Sequence, residues 1–328
     1  MGWKGALRSI NAARNRAERE SVTRHRQLQR LQATFDKLEA HQQALQEMAC
    51  FVSLLARLTS IHRECGERVD WRKLKNAPSP AQPQHSRQGE QAAQHALSSY
   101  QPSWLDRLIG RVERKQRDLT EAVERAKRED TALHEQVLAN FRVATTEWQE
   151  TVQLAERILS LDPEAFGEAV AEMSPLQELE ELGSNLQFQF HPQGVIEATL
   201  RVQADSVIPK ESKSVLKSGK LSVKKMPTGE YWELYQDYVA GAVLRVAREL
   251  DALLPAGMLV VTAVADLLNT STGYVEEQPI LSVQVPPASL ARLNFATLDA
   301  SDGLRNFVHR MDFRRSKGLG AIEPLTLT

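Results

Sequence analysis

Residues 11–74 contain no proline, and their one glycine is Gly66. Ala, Gln, Glu, Arg and Leu fill most of the stretch, and these side chains lose little freedom in a helix. Apolar residues recur at steps of three and four: Leu28, Leu31, Phe35, Leu38, Leu45, Met48, Val52, Leu55, Leu58 and Ile61. They form one stripe that drifts around the axis near residues 41–42. The pattern predicts one long amphipathic helix, roughly 85–95 Å if it runs for about 60 residues. A helix of that length with an apolar stripe must bury the stripe somewhere, so everything downstream is constrained by what it packs against.

The composition then changes. Pro78, Pro80, Pro83 and Pro102 punctuate residues 76–103 among Gln, Ser and His, which predicts an extended linker with room for a short helix over 90–97. Ser103 is placed to cap a second long helix over 104–161, with Leu108, Val112, Leu119, Val123, Leu133, Val137, Phe141, Trp148, Val152 and Leu159 at helical spacing. The two helices either fold back on each other or pair with a second copy of the chain. Asp162-Pro163 and Ser174-Pro175 should break the next stretch of chain into short helices rich in acids, among them Glu178, Glu180 and Glu181.

From Leu186 the period switches to two. Leu186, Phe188 and Phe190 alternate with polar residues, and 195–202 continues after a turn, predicting a hairpin. A third strand is expected at 221–224, an amphipathic helix at 230–254, and two apolar strands at 258–265 and 279–285, followed by short helices at 286–293 and 301–308. Phe188, Leu200, Leu244, Val260, Val261, Ile280 and Val283 are the expected core. The fold class is α plus α/β or α+β: a long antiparallel helical, coiled-coil arm followed by a compact mixed sheet-and-helix C-terminal domain. The expected divisions are 1–75, 76–103, 104–184 and 185–328.

Forty-one Lys and Arg against 42 Asp and Glu leave no global charge bias. No apolar run approaches the roughly 18–20 residues a bilayer crossing needs; the best, residues 257–265, is half that. Two cysteines cannot staple a secreted scaffold, and arginines interrupt any signal-peptide core, so a reducing cytoplasm is the expected location.

Charge is instead local. Lys4, Arg8, Arg14, Arg16, Arg19, Arg24, Arg26 and Arg30 face only Glu18 and Glu20, which suits an anionic surface met through residues 1–31. A second group is Lys210, Lys213, Lys217, Lys220, Lys224 and Lys225 around Glu211, interleaved with serines. A third is Arg305, His309, Arg310, Arg314, Arg315 and Lys317, ending in Gly318-Leu-Gly320, whose flexibility would let backbone amides approach an anion. Lys213, Lys217, Lys220, Lys224, Lys225, Arg310, Arg314, Arg315 and Lys317 are therefore the expected phosphate contacts, and they matter together only if they share a face.

For catalysis, the predicted loop 266–278 after the apolar strand is the best place, because ligands sit outside the carboxyl ends of strands in open α/β sheets. Asp266 and Glu277 could hold a hard cation there, with His309 as general base from a helix. The metal-nuclease pattern of an Asp followed by Glu-x-Lys occurs only as Asp205 with Glu211 and Lys213, too closely spaced and in a predicted loop. His62 and Cys65 lack a second pair of metal ligands. No hydrolase, phosphate-loop, zinc or dinucleotide motif occurs, so no cofactor and no metal site is expected.

The leading expectation is a coiled-coil-armed interaction protein, not an enzyme. It self-associates through helices 11–74 and 104–161, and its basic head binds a partner such as nucleic acid; no particular protein partner is indicated. The alternatives are a metal-assisted phosphodiester hydrolase in the C-terminal domain and a scaffold anchored to a membrane surface through the basic N-terminus.

Overall fold

The long first helix forms from Trp3 to Ser60 (α1, 58 residues), two positions from the N-terminus of a computed structural model. The structure describes residues 3–173, 185–203 and 207–326, with backbone alone for 3–23, 26, 105 and 106. The expected break at Ser174-Pro175, the acids Glu178, Glu180 and Glu181, Asp205, and the side chains of the N-terminal cations before Arg24, with that of Arg26, lie outside the described residues. The fold is α+β: long helices, then a six-stranded sheet with helices. The chain divides into two compact units, Met1–Arg68 with Gly167–Thr328, and Val69–Phe166.

In the first unit α1 stops fourteen residues short of the predicted end. A single 3-10 turn, Ile61–Arg63, follows, and the chain then runs without helix to Asp70. The stop is enforced from outside. The Arg248 guanidinium donates to the carbonyls of His62, Arg63 and Glu64 at 2.5, 2.9 and 3.3 Å, satisfying acceptors that a helix end leaves orphaned. The sheet holds β1 (Asn185–His191), β2 (Val195–Arg201), β5 (Met258–Leu268), β6 (Val275–Val285), β7 (Val308–Arg314) and β8 (Gly318–Gly320), adjacent in that order. The predicted β1–β2 hairpin forms in antiparallel register. β2 and β5 are parallel, so they need a crossover, and α7 (Thr228–Leu253) lies within it.

Register fixes the two faces of the sheet. Ile196, Ala198 and Leu200 stand opposite Leu259, Val261 and Ala263, which stand opposite Val285, Val283 and Leu281; all nine are buried. α7 packs on β5 and β6, and Tyr238, Ala242, Val246 and Leu250 in it are buried. The other face carries Thr199, Thr262, Ser282, Gln284 and Arg310, and the C-terminal segment crosses it. Ile322 N donates to the Pro279 carbonyl at 2.9 Å, Leu325 N to Ser282 Oγ at 3.0 Å, and Arg310 to the Glu323 carbonyl at 3.3 Å. Of the seven expected core residues six are buried; Phe188 is half-buried because β1 is an edge strand.

Three further expectations change in this unit. The apolar strands are longer than predicted and leave only 269–274 as a turn between β5 and β6. Helix ends at Gly303 and a 3-10 turn at Asn306, so residues 308–314 are a strand. And an 18-residue window within Gln27–Arg63 reaches mean hydropathy 1.3, enough by length and composition alone to cross a bilayer; Ala44, Phe51, Leu58 and His62 in it are buried inside the molecule.

The second unit holds α2 (Trp71–Lys75), α3 (Gln88–Ser98), α4 (Trp104–Leu108) and α5 (Val112–Leu159). α2 and α3 pack on α5, so the linker is bound rather than loose: Trp148 Nε1 donates to the Ala77 carbonyl at 2.9 Å and Glu90 N to Asp130 at 2.9 Å. The second long helix is split, because Gly110 takes a left-handed φ of 68° between α4 and α5. α6 (Pro163–Met173) follows.

Candidate nucleic-acid interface

The second basic group folds as a ribbon. β3 (Glu211–Val215) and β4 (Leu221–Lys225) pair antiparallel from Glu211 opposite Lys225 to Val215 opposite Leu221. Glu211 and Lys213 therefore lie on a strand, not in the loop the sequence suggested. At the tip, Leu216 N donates to the Lys220 carbonyl and Gly219 N to the Leu216 carbonyl, both at 2.9 Å, with Gly219 at φ 80°. An isolated two-stranded ribbon is marginal in water. This one is tied at both ends. His41 of α1 donates from Nδ1 to the Gly219 carbonyl at 3.1 Å, Lys213 pairs with Glu47 of α1 at 3.0 Å, and Met226 N closes the base on the Lys210 carbonyl at 2.9 Å. A Cβ on Gly219 would sit 2.9 Å from His41 Nδ1, so the glycine is needed for the turn and for the close approach.

The third basic group lies on β7 and the turn after it. Phe313 and Leu319 pair across to β8, so Gly318-Leu-Gly320 is a strand and not a flexible loop. The Trp232 ring rests on Gly318, where a Cβ would overlap the ring, and this closes the backbone to an anion. Arg315 binds Glu233 of α7 at 2.8 and 3.0 Å and lies against Gly229. Lys225 is three residues before α7 begins at Thr228. The ribbon base and the Arg314–Lys317 turn thus flank the start of the same helix, and the two head clusters share a neighbourhood.

Ion pairing sorts the nine expected contacts. Lys213 is bound to Glu47, Arg310 lies 3.9 Å from Glu323, Arg314 is 3.4 Å from Asp312, and Arg315 is bound to Glu233. Lys217, Lys220, Lys224, Lys225 and Lys317 are exposed and have no acid partner among the described residues. Four of those five ride the ribbon. Its tip docks at His41, eleven residues or about 16 Å along α1 from Arg30, the last of the N-terminal cations.

The catalytic trio does not assemble. Asp266 and Glu277 are cross-strand partners, but Arg201 of β2 holds both, at 2.9 Å from Asp266 and 3.3 Å from Glu277. His309 is on β7 rather than on a helix, opposite Val283, and its Nδ1 meets the Phe307 carbonyl at 3.0 Å. Val283 is in turn opposite Val261, five residues before Asp266, so His309 is about 16 Å away along the strands and two strands across. Glu276 accepts from Asn269 and Thr272, and these bonds hold its carboxyl below the usual range; Gly273 closes the turn at φ 77°. The stretch is a well-bonded hairpin end. Among the described residues no three His, Cys, Asp or Glu side chains converge as a metal site.

A clamp on α7 was not among the expected sites. Arg245 and Glu249 form a buried pair at 2.6 Å, and both Glu249 oxygens accept Gly66 N at 3.0 and 3.1 Å. Asp251 binds Arg68, and Arg248 also stacks over Phe295 at 4.1 Å. His62 donates from Nε2 to the Leu298 carbonyl at 2.9 Å, while its Nδ1 is buried without a partner among the described residues, and burial pushes its pKa down. A cleft of about 300 Å³ beside the clamp holds Cys65, whose thiol is pushed up by burial and then by Glu249. That shift makes the thiol a poor nucleophile. The signal was available: Arg245, Arg248 and Glu249 interrupt an otherwise buried helix, and buried charges must be paired. The clamp fixes residues 62–68 to α7, the helix against which α1 also packs. Family models, curated proteins and solved structures offer no match to this chain.

Proposed function

We propose that the chain is an interaction protein that self-associates through its long helices as a coiled-coil arm and meets nucleic-acid phosphate with the lysine ribbon. The observation that carries the reading is the set of five exposed lysines without acid partners among the described residues, four of them on a ribbon pinned to α1. Phosphate contacts need cations that are not already neutralised and a support that positions them. The ribbon supplies both. Engaged cations such as Arg315 would have to give up a bidentate carboxylate first, which costs affinity.

The reading is tested with the full chain and a short labelled duplex at low salt. Reversing Lys217→Glu and Lys220→Glu together should weaken binding at least tenfold, whereas Arg310→Gln with Arg314→Gln should change it less than threefold. Equal effects of the two pairs, or no binding by the unaltered chain, would contradict the reading.

A further inference from the structure

One face of α1 is left over after the fold is complete. Leu28, Leu31, Phe35, Leu38, Leu45 and Val52 are each 50% exposed or more. With exposed Gln42 and Ala49 they fill every position of an alternating three–four repeat from 28 to 52. That period is 3.5 residues, the repeat of a two-stranded supercoil, and here it falls on a face the fold leaves exposed. The repeat stops at both ends: the next positions are Ser21 and Arg24 on one side, and Ala56 and Thr59, whose hydroxyl bonds back to the Leu55 carbonyl, on the other. The seam is 25 residues, about 37 Å long.

We propose that the partner on this seam is a second copy of α1, parallel and in register; this deepens the self-association reading above and rests on it. Two features select that occupant. The flanking positions are Gln27, Thr34, His41 and Met48 on one side and Gln32, Glu39, Gln46 and Ser53 on the other. Glu39 is the one acid there and His41 is held by Gly219, so the flanks offer no charge pattern by which a different helix would be chosen. Gln42 sets the direction. In a parallel, in-register pair it faces its own counterpart, and the two amides satisfy each other in one layer. In the antiparallel pairing of the same seam, Gln42 of each chain faces Leu38 of the other, which buries two unmatched amides.

The test uses the full chain with Cys50→Ser, which removes the exposed thiol. Light scattering should give twice the chain mass, and Leu38→Glu with Leu45→Glu should return it to one with unchanged helical circular dichroism. Gln42→Cys should form a disulfide-linked dimer on mild oxidation. A mixture of Leu38→Cys and Gln42→Cys chains that cross-links more readily than Gln42→Cys alone would overturn the parallel arrangement. A monomer at micromolar concentration, or a dimer untouched by the two glutamates, would overturn the seam itself. Duplex binding is read on the same samples: a dimer that ignores the duplex leaves the seam standing and removes the phosphate reading, and a monomer that binds duplex does the reverse.

Discussion

Two faces of the same helix, about a quarter-turn apart, have the same spacing and opposite fates. On the inner face His41, Ala44, Met48, Phe51, Leu55, Leu58 and His62 step by three and four; Ala44, Phe51, Leu58 and His62 are buried, and the other three are half-buried. On the outer face Leu28, Leu31, Phe35, Leu38, Leu45 and Val52 step the same way and stay in water. The inner face is joined to the fold by specific bonds at both ends, His41 to Gly219 and His62 to Leu298. The outer face has apolar side chains and, among the described residues of its own unit, nothing to receive them. The inner face belongs to folding, and the outer face is the one proposed for association.

The contrast can be broken in several places. The largest effect is expected where the inner face is anchored. Glu249→Ala removes the buried carboxylate from the Arg245 guanidinium, leaving it the exposed Glu64 at 3.3 Å, and takes the acceptor from Gly66 N; it should cost about 3–5 kcal/mol in denaturant unfolding. Leu58→Ala on the inner face should cost about 2–5 kcal/mol, because a fully packed leucine leaves a cavity. Gly219→Ala should cost about 1–3 kcal/mol and free the ribbon from α1, seen as faster amide exchange at Leu216 and Lys220. Leu45→Ala on the outer face, measured at dilutions where the chain is monomeric, should stay within about 0.5 kcal/mol. A Leu45→Ala loss as large as that of Leu58→Ala would erase the distinction.

A pH series sharpens the same point. His62 is held neutral, with its pKa lowered by burial, so the unfolded chain binds a proton that the folded chain refuses. Stability from this group is complete above about pH 6.5 and is lost as pH falls toward the depressed folded value. Asp251, raised by burial, works in the opposite sense at lower pH. His62→Gln should flatten the fall in melting temperature between pH 7.5 and 5.5; an unchanged slope would mean that the imidazole is not the group responsible.

The sequence made the helices legible because their period persists over dozens of residues, and the core because 258–265 and 279–285 are continuous apolar runs. It ran the two faces of α1 together, since Leu45, Met48, Val52 and Leu55 are neighbours on one surface and only tertiary contact separates the buried from the exposed. β7 was hidden in its own charge. His309, Met311 and Phe313 alternate with Arg310, Asp312 and Arg314, a clean period of two, but the arginines drew the stretch into a basic cluster. β3 was lost for the same reason, because Glu211-Ser-Lys-Ser-Val215 carries one apolar residue in five. Among the expected phosphate contacts, sequence had no means of telling cations bound to an acid from those without one among the described residues. Partners such as Glu47 for Lys213 and Glu233 for Arg315 are 166 and 82 residues away along the chain.

The most direct test of the account is the salt dependence of duplex binding by the full chain. Five lysines without acid partners among the described residues predict that the logarithm of the association constant falls with the logarithm of salt concentration at a slope of about −4 to −5 per chain if all make contact. It should be no shallower than about −3, and Lys217→Glu with Lys220→Glu should reduce it by about 2. No measurable binding at low salt, or a slope near zero that the two substitutions leave unchanged, would contradict the assignment of the ribbon as a phosphate-contacting surface.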